Sequence, residues 1–167
     1  MLFCFNAAEV FQIAVEIEEN GRTFYEKAQA LVDDPEVKKL FSDLALEEIS
    51  HKKKFEEFKA QLPSGLAAPT VSDPQQELDL YIKMMADQHI FRTDKEMQEH
   101  ISKIKTTVDA LRMAIQFEKD SVLFFLSMQE ATCEGKGRDL VSLLVKEEQE
   151  HVRRLSLQLR KVTHAAV

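Results

Sequence analysis

Two short stretches of the sequence carry the same pair of residues that can bind metal. The stretch LALEEISHKKKF places Glu48 three residues before His51, and LVKEEQEHVRRL repeats the pair as Glu148 and His151, 100 residues later. Residues three apart in an α-helix lie on one face, about one turn from each other. Each pair interrupts a helical stripe of apolar residues, where an unpaired charge is costly to bury. Both pairs are therefore candidates for metal chemistry.

A single glutamate recurs in each of two further apolar stripes, as Glu18 and, 100 residues later, Glu118. If the four stripes face one another, four carboxylates and two imidazoles meet at one level of the core. Two divalent cations would balance the four negative charges, and mixed carboxylate and imidazole ligands suit iron, manganese or zinc. The sequence therefore predicts a two-metal site formed by Glu18, Glu48, His51, Glu118, Glu148 and His151.

Four long amphipathic segments must position these ligands. Apolar residues at alternating steps of four and three predict helices over roughly 5–32, 35–62, 107–132 and 138–163. The short links LVDDP and CEGKG join the first two and the last two helices, so each pair is predicted to form an antiparallel hairpin. Asp34 before Pro35 suits the start of the second helix, as a capping residue followed by proline.

The segment 63–106 is predicted to be a long crossover between the two hairpins, with one or two short helices of its own. Thr93 and Glu96 fit a capping box for the second of these helices. His89, which also lies in the crossover, is predicted to face the core or a partner subunit and not to bind metal. The predicted fold is therefore a single all-α domain over 1–167, a four-helix bundle with a long helical crossover.

The two halves of the sequence align at the constant offset of 100 without insertion, which indicates an internal duplication. Tyr25, two turns after Glu18, either hydrogen-bonds a ligand carboxylate, or takes part in redox chemistry, or is a core tyrosine with a satisfied hydroxyl. Phe125 takes the equivalent place in the second half, so this side of the site is predicted to be asymmetric. Glu47 and Glu147 point about 100° away from the ligands and are predicted to face solvent or an interface.

Composition excludes several classes of function. The formal net charge of −7 argues against a general binder of nucleic acid or anionic membranes. No run of 18 or more apolar residues is present, so no membrane span is predicted. The first residues lack the basic region of a signal peptide, and Cys4 and Cys133 form no disulfide framework. A reducing, cytoplasmic setting is therefore expected.

The stretches AVEIEENGRTFYEKA, LALEEISHKKKF, AIQFEKDSVLFFLSM and LVKEEQEHVRRL resemble the four helices of the rubrerythrin branch of the ferritin-like superfamily. The resemblance covers nearly all of the chain apart from the crossover. It implies a ferritin-like bundle with two iron ions at the six residues named above, and Glu48 and Glu118 are the expected bridging ligands. It also implies reaction with hydrogen peroxide or dioxygen in protection against oxidative stress, an external electron donor, and a homo-oligomer, expected to be a dimer.

Two departures from the family pattern bear on activity. Full-length rubrerythrins append a rubredoxin domain with paired CxxC motifs, and this sequence contains no such motif. Rubrerythrins also tend to carry a second glutamate three residues after the third-helix ligand, where this chain has Ser121, the counterpart of Gly21. Weaker peroxidase activity with intact metal binding is therefore expected. The alternatives are iron oxidation for storage or trafficking, and a metal-stabilised helical module without enzymatic activity.

Overall fold

The computed structural model describes residues 7–61, 77–90, 92–131 and 136–165, and within these ranges it contains six helices and no strand. The predicted all-α class is confirmed. Cys4, Cys133 and most of the loop before the third helix lie outside the described residues. The helices in chain order are α1 Ala7–Ala28, α2 Pro35–Ala60, α3 Glu77–Asp87, α4 Asp94–Ile101, α5 Thr107–Ala131 and α6 Lys136–Ala165.

The bundle is built from two hairpins that pack face to face. Helices α1 and α2 make one extensive contact and α5 and α6 the other, while α1 meets α5 and α2 meets α6 across the bundle. The crossover helices cover its outside, since α3 packs mainly on α5 and α4 on α1. No helix in the described ranges is long and apolar enough to cross a membrane.

Local hydrogen bonds explain where the helices begin and end. The Asp34 side chain accepts hydrogen bonds from the backbone amides of Glu36 at 2.8 Å and Val37 at 3.1 Å, so the predicted cap of α2 is confirmed. The capping box of Thr93 and Glu96 is also present at α4. Helix α1 ends at Ala28, before the expected residue 32, because the chain tightens there into a three-residue turn.

Aromatic side chains fill the core on both sides of the level at which the predicted ligands lie. Tyr25 packs against Phe41 and Phe117 on one side, with ring centroids 5.5 and 6.1 Å apart. On the other side Phe55 packs against Phe125 at 5.2 Å and against Phe11 at 6.2 Å. These rings are buried and exclude water from the middle of the bundle.

Gly21 allows α1 to approach α5 closely. A Cβ atom placed on Gly21 would lie 2.9 Å from Cε1 of Phe117 and closer still to Cζ of the same ring. Such a contact cannot form without displacing the ring, which is itself buried. The absence of a side chain at residue 21 therefore sets the distance between the two hairpins at this point.

We expect Gly21→Ala to destabilise the protein by about 1–3 kcal/mol because it overpacks this contact. The usual effect of the same change inside a helix is opposite, a gain of roughly 1 kcal/mol. Urea unfolding of Gly21→Ala, of Phe117→Leu and of the double variant checks this, since Gly21→Ala should cost less in the Phe117→Leu background, where the ring no longer clashes, than in wild type. A Gly21→Ala variant more stable than wild type would contradict the expected clash.

Candidate metal centre

All six ligands predicted from the sequence lie together at the centre of the bundle. Each of the four main helices contributes, with α1 and α5 each supplying one glutamate and α2 and α6 each supplying a glutamate and a histidine. None of the six side chains is more than 3% exposed. They are Glu18, Glu48, His51, Glu118, Glu148 and His151.

The six residues form two overlapping clusters, each with one potential ligand atom per residue. The first contains Glu18 and His51, the second contains Glu118 and His151, and both contain Glu48 and Glu148. Within a cluster the ligand atoms all lie within 4.8 Å of one another. The two shared carboxylates are therefore placed to bridge two ions. Glu118, which the family resemblance favours as a bridging ligand, lies in one cluster only, whereas Glu148 lies in both.

Both histidines direct their Nδ1 atoms into this carboxylate group. Nδ1 of His51 lies 2.8 Å from Oε1 of Glu148, and Nδ1 of His151 lies 3.1 Å from Oε2 of the same residue. The two rings are stacked, with centroids 5.5 Å apart and planes 14° from parallel. Glu148 therefore lies between two imidazoles, in reach of both metal positions.

Most of these buried polar atoms make no hydrogen bond. Among the residues that the structure describes, both carboxylate oxygens of Glu18, Glu48 and Glu148, one oxygen of Glu118, and the Nδ1 atoms of both histidines have no hydrogen-bond partner, although several lie within ion-pair distance of one another. Buried polar groups without partners are rare in folded proteins and are costly. A divalent cation in each cluster would satisfy these atoms at once, so the residues present fit a two-metal centre.

The two histidines supply only part of the positive charge that four buried carboxylates need, and the pKa values of the glutamates reflect this. Burial raises the pKa of Glu118 to about 8, and burial together with the neighbouring carboxylates raises the pKa of Glu48 well above its usual range. Burial alone would also raise the pKa of Glu148, but the two facing histidines outweigh it and lower that pKa. Protons and divalent cations therefore compete for the same atoms.

Two glutamates outside the cluster orient the histidines. Nε2 of His151 lies 2.7 Å from Oε2 of Glu47, and Nε2 of His51 lies 3.1 Å from Oε2 of Glu147. Each contact crosses between α2 and α6. A glutamate that accepts the Nε2 proton leaves Nδ1 free to bind metal and fixes the plane of the ring.

The sequence interpretation of these two glutamates as solvent or interface residues was incomplete. Glu47 is 40% exposed and Glu147 is 35% exposed, but each also contacts a buried histidine of the other half. A deviation of 100° from the ligand face places a side chain toward the neighbouring helix as readily as toward water. Their recurrence at the offset of the ligands was the signal in the sequence that could have identified this role.

Tyr25 is both a core residue and a partner of a predicted ligand. Its side chain is fully buried, and its hydroxyl donates a hydrogen bond to Oε1 of Glu118. Burial and the nearby charge of Glu118 raise the pKa of the Tyr25 hydroxyl, which keeps it protonated as a donor. The interpretations of Tyr25 as a core tyrosine and as a hydrogen-bond partner of a ligand are therefore compatible, and the hydrogen bond to a ligand carboxylate is present.

The crossover contributes a buried histidine beside this centre. His89 is 3% exposed, its Nε2 lies 3.0 Å from the hydroxyl oxygen of Ser121, and its ring packs edge-on against Phe117. His89 is absent from both ligand clusters. The alternative that it faces the core is thus the correct one, and Ser121 pairs with the crossover histidine.

Comparison with known proteins agrees with this geometry. A family model described as Rubrerythrin matches residues 9–159. No curated protein matches the sequence. Among solved structures, the chain is similar to one from Thermotoga maritima described as a ferritin-like diiron-carboxylate protein, with a TM-score of 0.71 and 19% sequence identity over 97% of this chain and 99% of that chain. At this identity the structural similarity shows the fold alone, whereas the family match extends over most of the sequence.

Removal of metal is expected to destabilise the protein, because the buried carboxylates lose their countercharge. A ligand at about 100 times its Kd stabilises by roughly 2.7 kcal/mol, which corresponds to a fall in Tm of about 5–10 °C on chelation for a protein of this size. Calorimetry with excess Mn²⁺ and with EDTA measures the shift. The control variant Glu118→Gln should show a much smaller difference, and an equal Tm for the loaded and chelated wild type would contradict the predicted site.

Acid is expected to destabilise the fold through His89. Burial lowers its pKa to about 3, whereas an unfolded histidine has a pKa near 6.5. The unfolded state therefore binds the proton first, and the stability that neutral His89 provides is complete above about pH 6.5 and decreases as the pH falls toward 3. By pH 5 the loss is about 2 kcal/mol.

Urea unfolding between pH 7 and pH 5 tests this contribution with chelator present throughout. His89→Gln should show a smaller loss of stability over this interval than wild type. His164→Gln, which changes an exposed histidine near the end of α6, should show the same loss as wild type. Equal pH dependence in wild type and His89→Gln would mean that His89 does not control this sensitivity.

Proposed function

The chain belongs to the rubrerythrin family, and on this premise we propose that it binds two iron ions and uses them to reduce hydrogen peroxide or dioxygen. The observation that supports this most directly is the buried group of four glutamates and two histidines, most of whose ligand atoms have no hydrogen-bond partner among the described residues. Carboxylate and imidazole ligands together favour iron or manganese over metals that prefer thiolates. The proposed physiological role is protection against oxidative stress.

In this proposal the chain's own residues hold the ions at a fixed position in a dry core. Glu48 and Glu148, which belong to both clusters, would hold the two ions together with Glu18 and His51 on one side and Glu118 and His151 on the other. When bound, two ferrous ions supply one electron each, so that one hydrogen peroxide and two protons give two water molecules. The aromatic residues on both sides of the site limit the entry of water, which strengthens the electrostatic interactions inside it.

The residues around the ligands control protons and orientation. Glu47 and Glu147 accept the Nε2 protons of the histidines and keep the Nδ1 atoms available to metal. Tyr25 holds Glu118 through its hydroxyl proton and, because its pKa is raised, does not compete with the carboxylates as an anion. These contacts maintain the ligand geometry while the charge of the centre changes.

We further propose that the chain acts as a homodimer and receives electrons from an external donor. Both statements rest on membership of the family. Light scattering of the purified protein distinguishes the dimer from the large shell that an iron-storage function would require. A shell of many chains would favour storage over the proposed redox function.

The central experiment is metal analysis and rapid mixing. Protein purified without added metal should contain iron, and anaerobic loading should give two ferrous ions per chain. Stopped-flow mixing with hydrogen peroxide should then oxidise both ions with a stoichiometry of one peroxide per chain. Glu148→Gln, which removes the charge of a shared carboxylate, should abolish this reaction, whereas Glu57→Gln on the surface of α2 should not. A loaded wild type that does not react with peroxide or dioxygen would refute the redox function.

Ser121→Glu tests how far the missing carboxylate limits the rate. Ser121 can donate a hydrogen bond but cannot supply the negative charge that balances the oxidised ions. We expect the glutamate variant to bind both ions and to react faster with peroxide, by roughly tenfold, which corresponds to about 1.4 kcal/mol in the barrier. Ser121→Gln, of equal size but without charge, should show no acceleration. If the glutamate variant is no faster, or only loses metal, Ser121 is not the limiting feature.

A further inference from the structure

The duplication gives the centre two half-sites with the same ligand types and different surroundings. The half-site of α1 and α2 uses Glu18 and His51, and that of α5 and α6 uses Glu118 and His151. Glu48 and Glu148 belong to both half-sites. Any difference in metal binding between the half-sites must therefore come from the residues that hold these ligands.

The first difference is a hydroxyl group. Tyr25 donates a hydrogen bond to Glu118, so one oxygen of this carboxylate is fixed and the other remains without a partner. Its counterpart in the second half is Phe125, which packs against Phe55 and has no hydroxyl to donate. Within the described part of the chain, both oxygens of Glu18 lack a hydrogen-bond partner. The carboxylate of Glu118 is thus ordered by a hydrogen bond of a kind that the carboxylate of Glu18 does not have in the described structure.

The second difference concerns the glutamates that orient the histidines. Glu47, beside His151, receives hydrogen bonds from one Arg154 nitrogen to both carboxylate oxygens at 2.8 Å. Glu147, beside His51, receives one hydrogen bond at 2.8 Å from Lys54, the residue equivalent to Arg154. The histidine contact is also shorter in the first case, 2.7 Å against 3.1 Å. Arginine gives a more rigid carboxylate contact than the flexible lysine chain.

We propose that the half-site of Glu118 and His151 binds a divalent metal ion first and more tightly than the half-site of Glu18 and His51. This inference rests on the proposed two-metal centre. Ligands that are already positioned lose less conformational freedom on binding, and outer partners of metal ligands typically change affinity by about 10–100-fold. The Tyr25 hydrogen bond also withdraws negative charge from Glu118, which by itself would weaken metal binding. Because the bond occupies only one carboxylate oxygen, we expect the gain from a carboxylate that is already ordered to be larger than this loss.

Titration of metal-free protein with Co²⁺, followed by calorimetry and visible absorption, tests the order of binding. Repulsion between two ions would separate the two binding steps even in a symmetric site, so the separation itself is not decisive. The decisive result is which step each variant changes. The binding of the first, tighter ion is the tight step, and the binding of the second ion is the weak step. Glu118→Gln should remove the tight step, and Glu18→Gln should remove the weak step and leave the tight one.

The hydroxyl difference is tested with a reciprocal pair of variants. Tyr25→Phe should weaken the tight step by about tenfold, and Phe125→Tyr, which offers a hydroxyl at the equivalent position of the other half, should strengthen the weak step. Tyr81→Phe is the matched control. It removes the hydroxyl of the other tyrosine in the chain, which lies on α3 beside Ser127, and should change neither step. Circular dichroism confirms that each variant is folded.

The outcomes separate the inference from the function on which it rests. Two ions per chain with a tight step that survives in Glu118→Gln, or that is unchanged in Tyr25→Phe, would overturn the order of binding and leave the two-metal centre intact. Binding of fewer than two ions by wild type would contradict the centre itself. Loss of the tight step in Glu118→Gln and its weakening in Tyr25→Phe would establish the inference.

Discussion

The burial of four carboxylates at one level of an apolar core is the constraint on which the rest of this structure depends. Such a group cannot remain fully ionised in a dry interior without countercharge. Two histidines supply part of it, as the lowered pKa of Glu148 between them indicates. The raised pKa values of Glu48 and Glu118 show that the histidines alone are not enough. The bundle is therefore organised around a position suited to cations, and we expect metal binding and folding to be linked.

The helices support this centre by orienting the histidine rings through contacts on the side away from the metal positions. Each histidine is oriented from the opposite hairpin, since Glu47 of α2 contacts His151 of α6 and Glu147 of α6 contacts His51 of α2. The contacts that position the ligands are thus also contacts that join the two halves of the bundle. A change in the packing between α2 and α6 would move Glu47 or Glu147 and, through its contact with a histidine, would shift a predicted metal ligand. Rigid helices are well suited to this role because the ligands must be held within a fraction of an ångström.

Much of this arrangement can be predicted from the sequence, because helical periodicity and the repeat at 100 residues together identify individual residues that must lie in the core. Glu18 and Glu118 interrupt apolar stripes, and only a bundle brings these stripes together. What periodicity does not provide is the direction of a side chain at the edge of its stripe. For that reason the periodicity places Glu47 in solvent or at an interface, whereas its contact with His151 depends on the distance between two helices.

The position of His89 could not be predicted for a different physical reason. Its place against Ser121 depends on how the crossover folds back over α5, and no local pattern encodes the path of a long connection. The presence of Glu148, and not Glu118, in both ligand clusters has the same origin, since it depends on the offset of helices along the bundle axis. Sequence pattern therefore determines which residues enter the centre, whereas tertiary packing determines what each of them does there.

The duplication and the crossover together explain why the two halves of the centre differ. A duplicated hairpin produces equivalent ligands by construction, but the crossover packs α3 mainly on α5 and α4 on α1, so the two hairpins have different surroundings. Ser121 pairs with His89, while its counterpart Gly21 leaves room for the ring of Phe117. Ligands tolerate little change, because each replacement leaves buried charge uncompensated. The residues around them are free to diverge, and there two equivalent half-sites can acquire different affinities without loss of the centre.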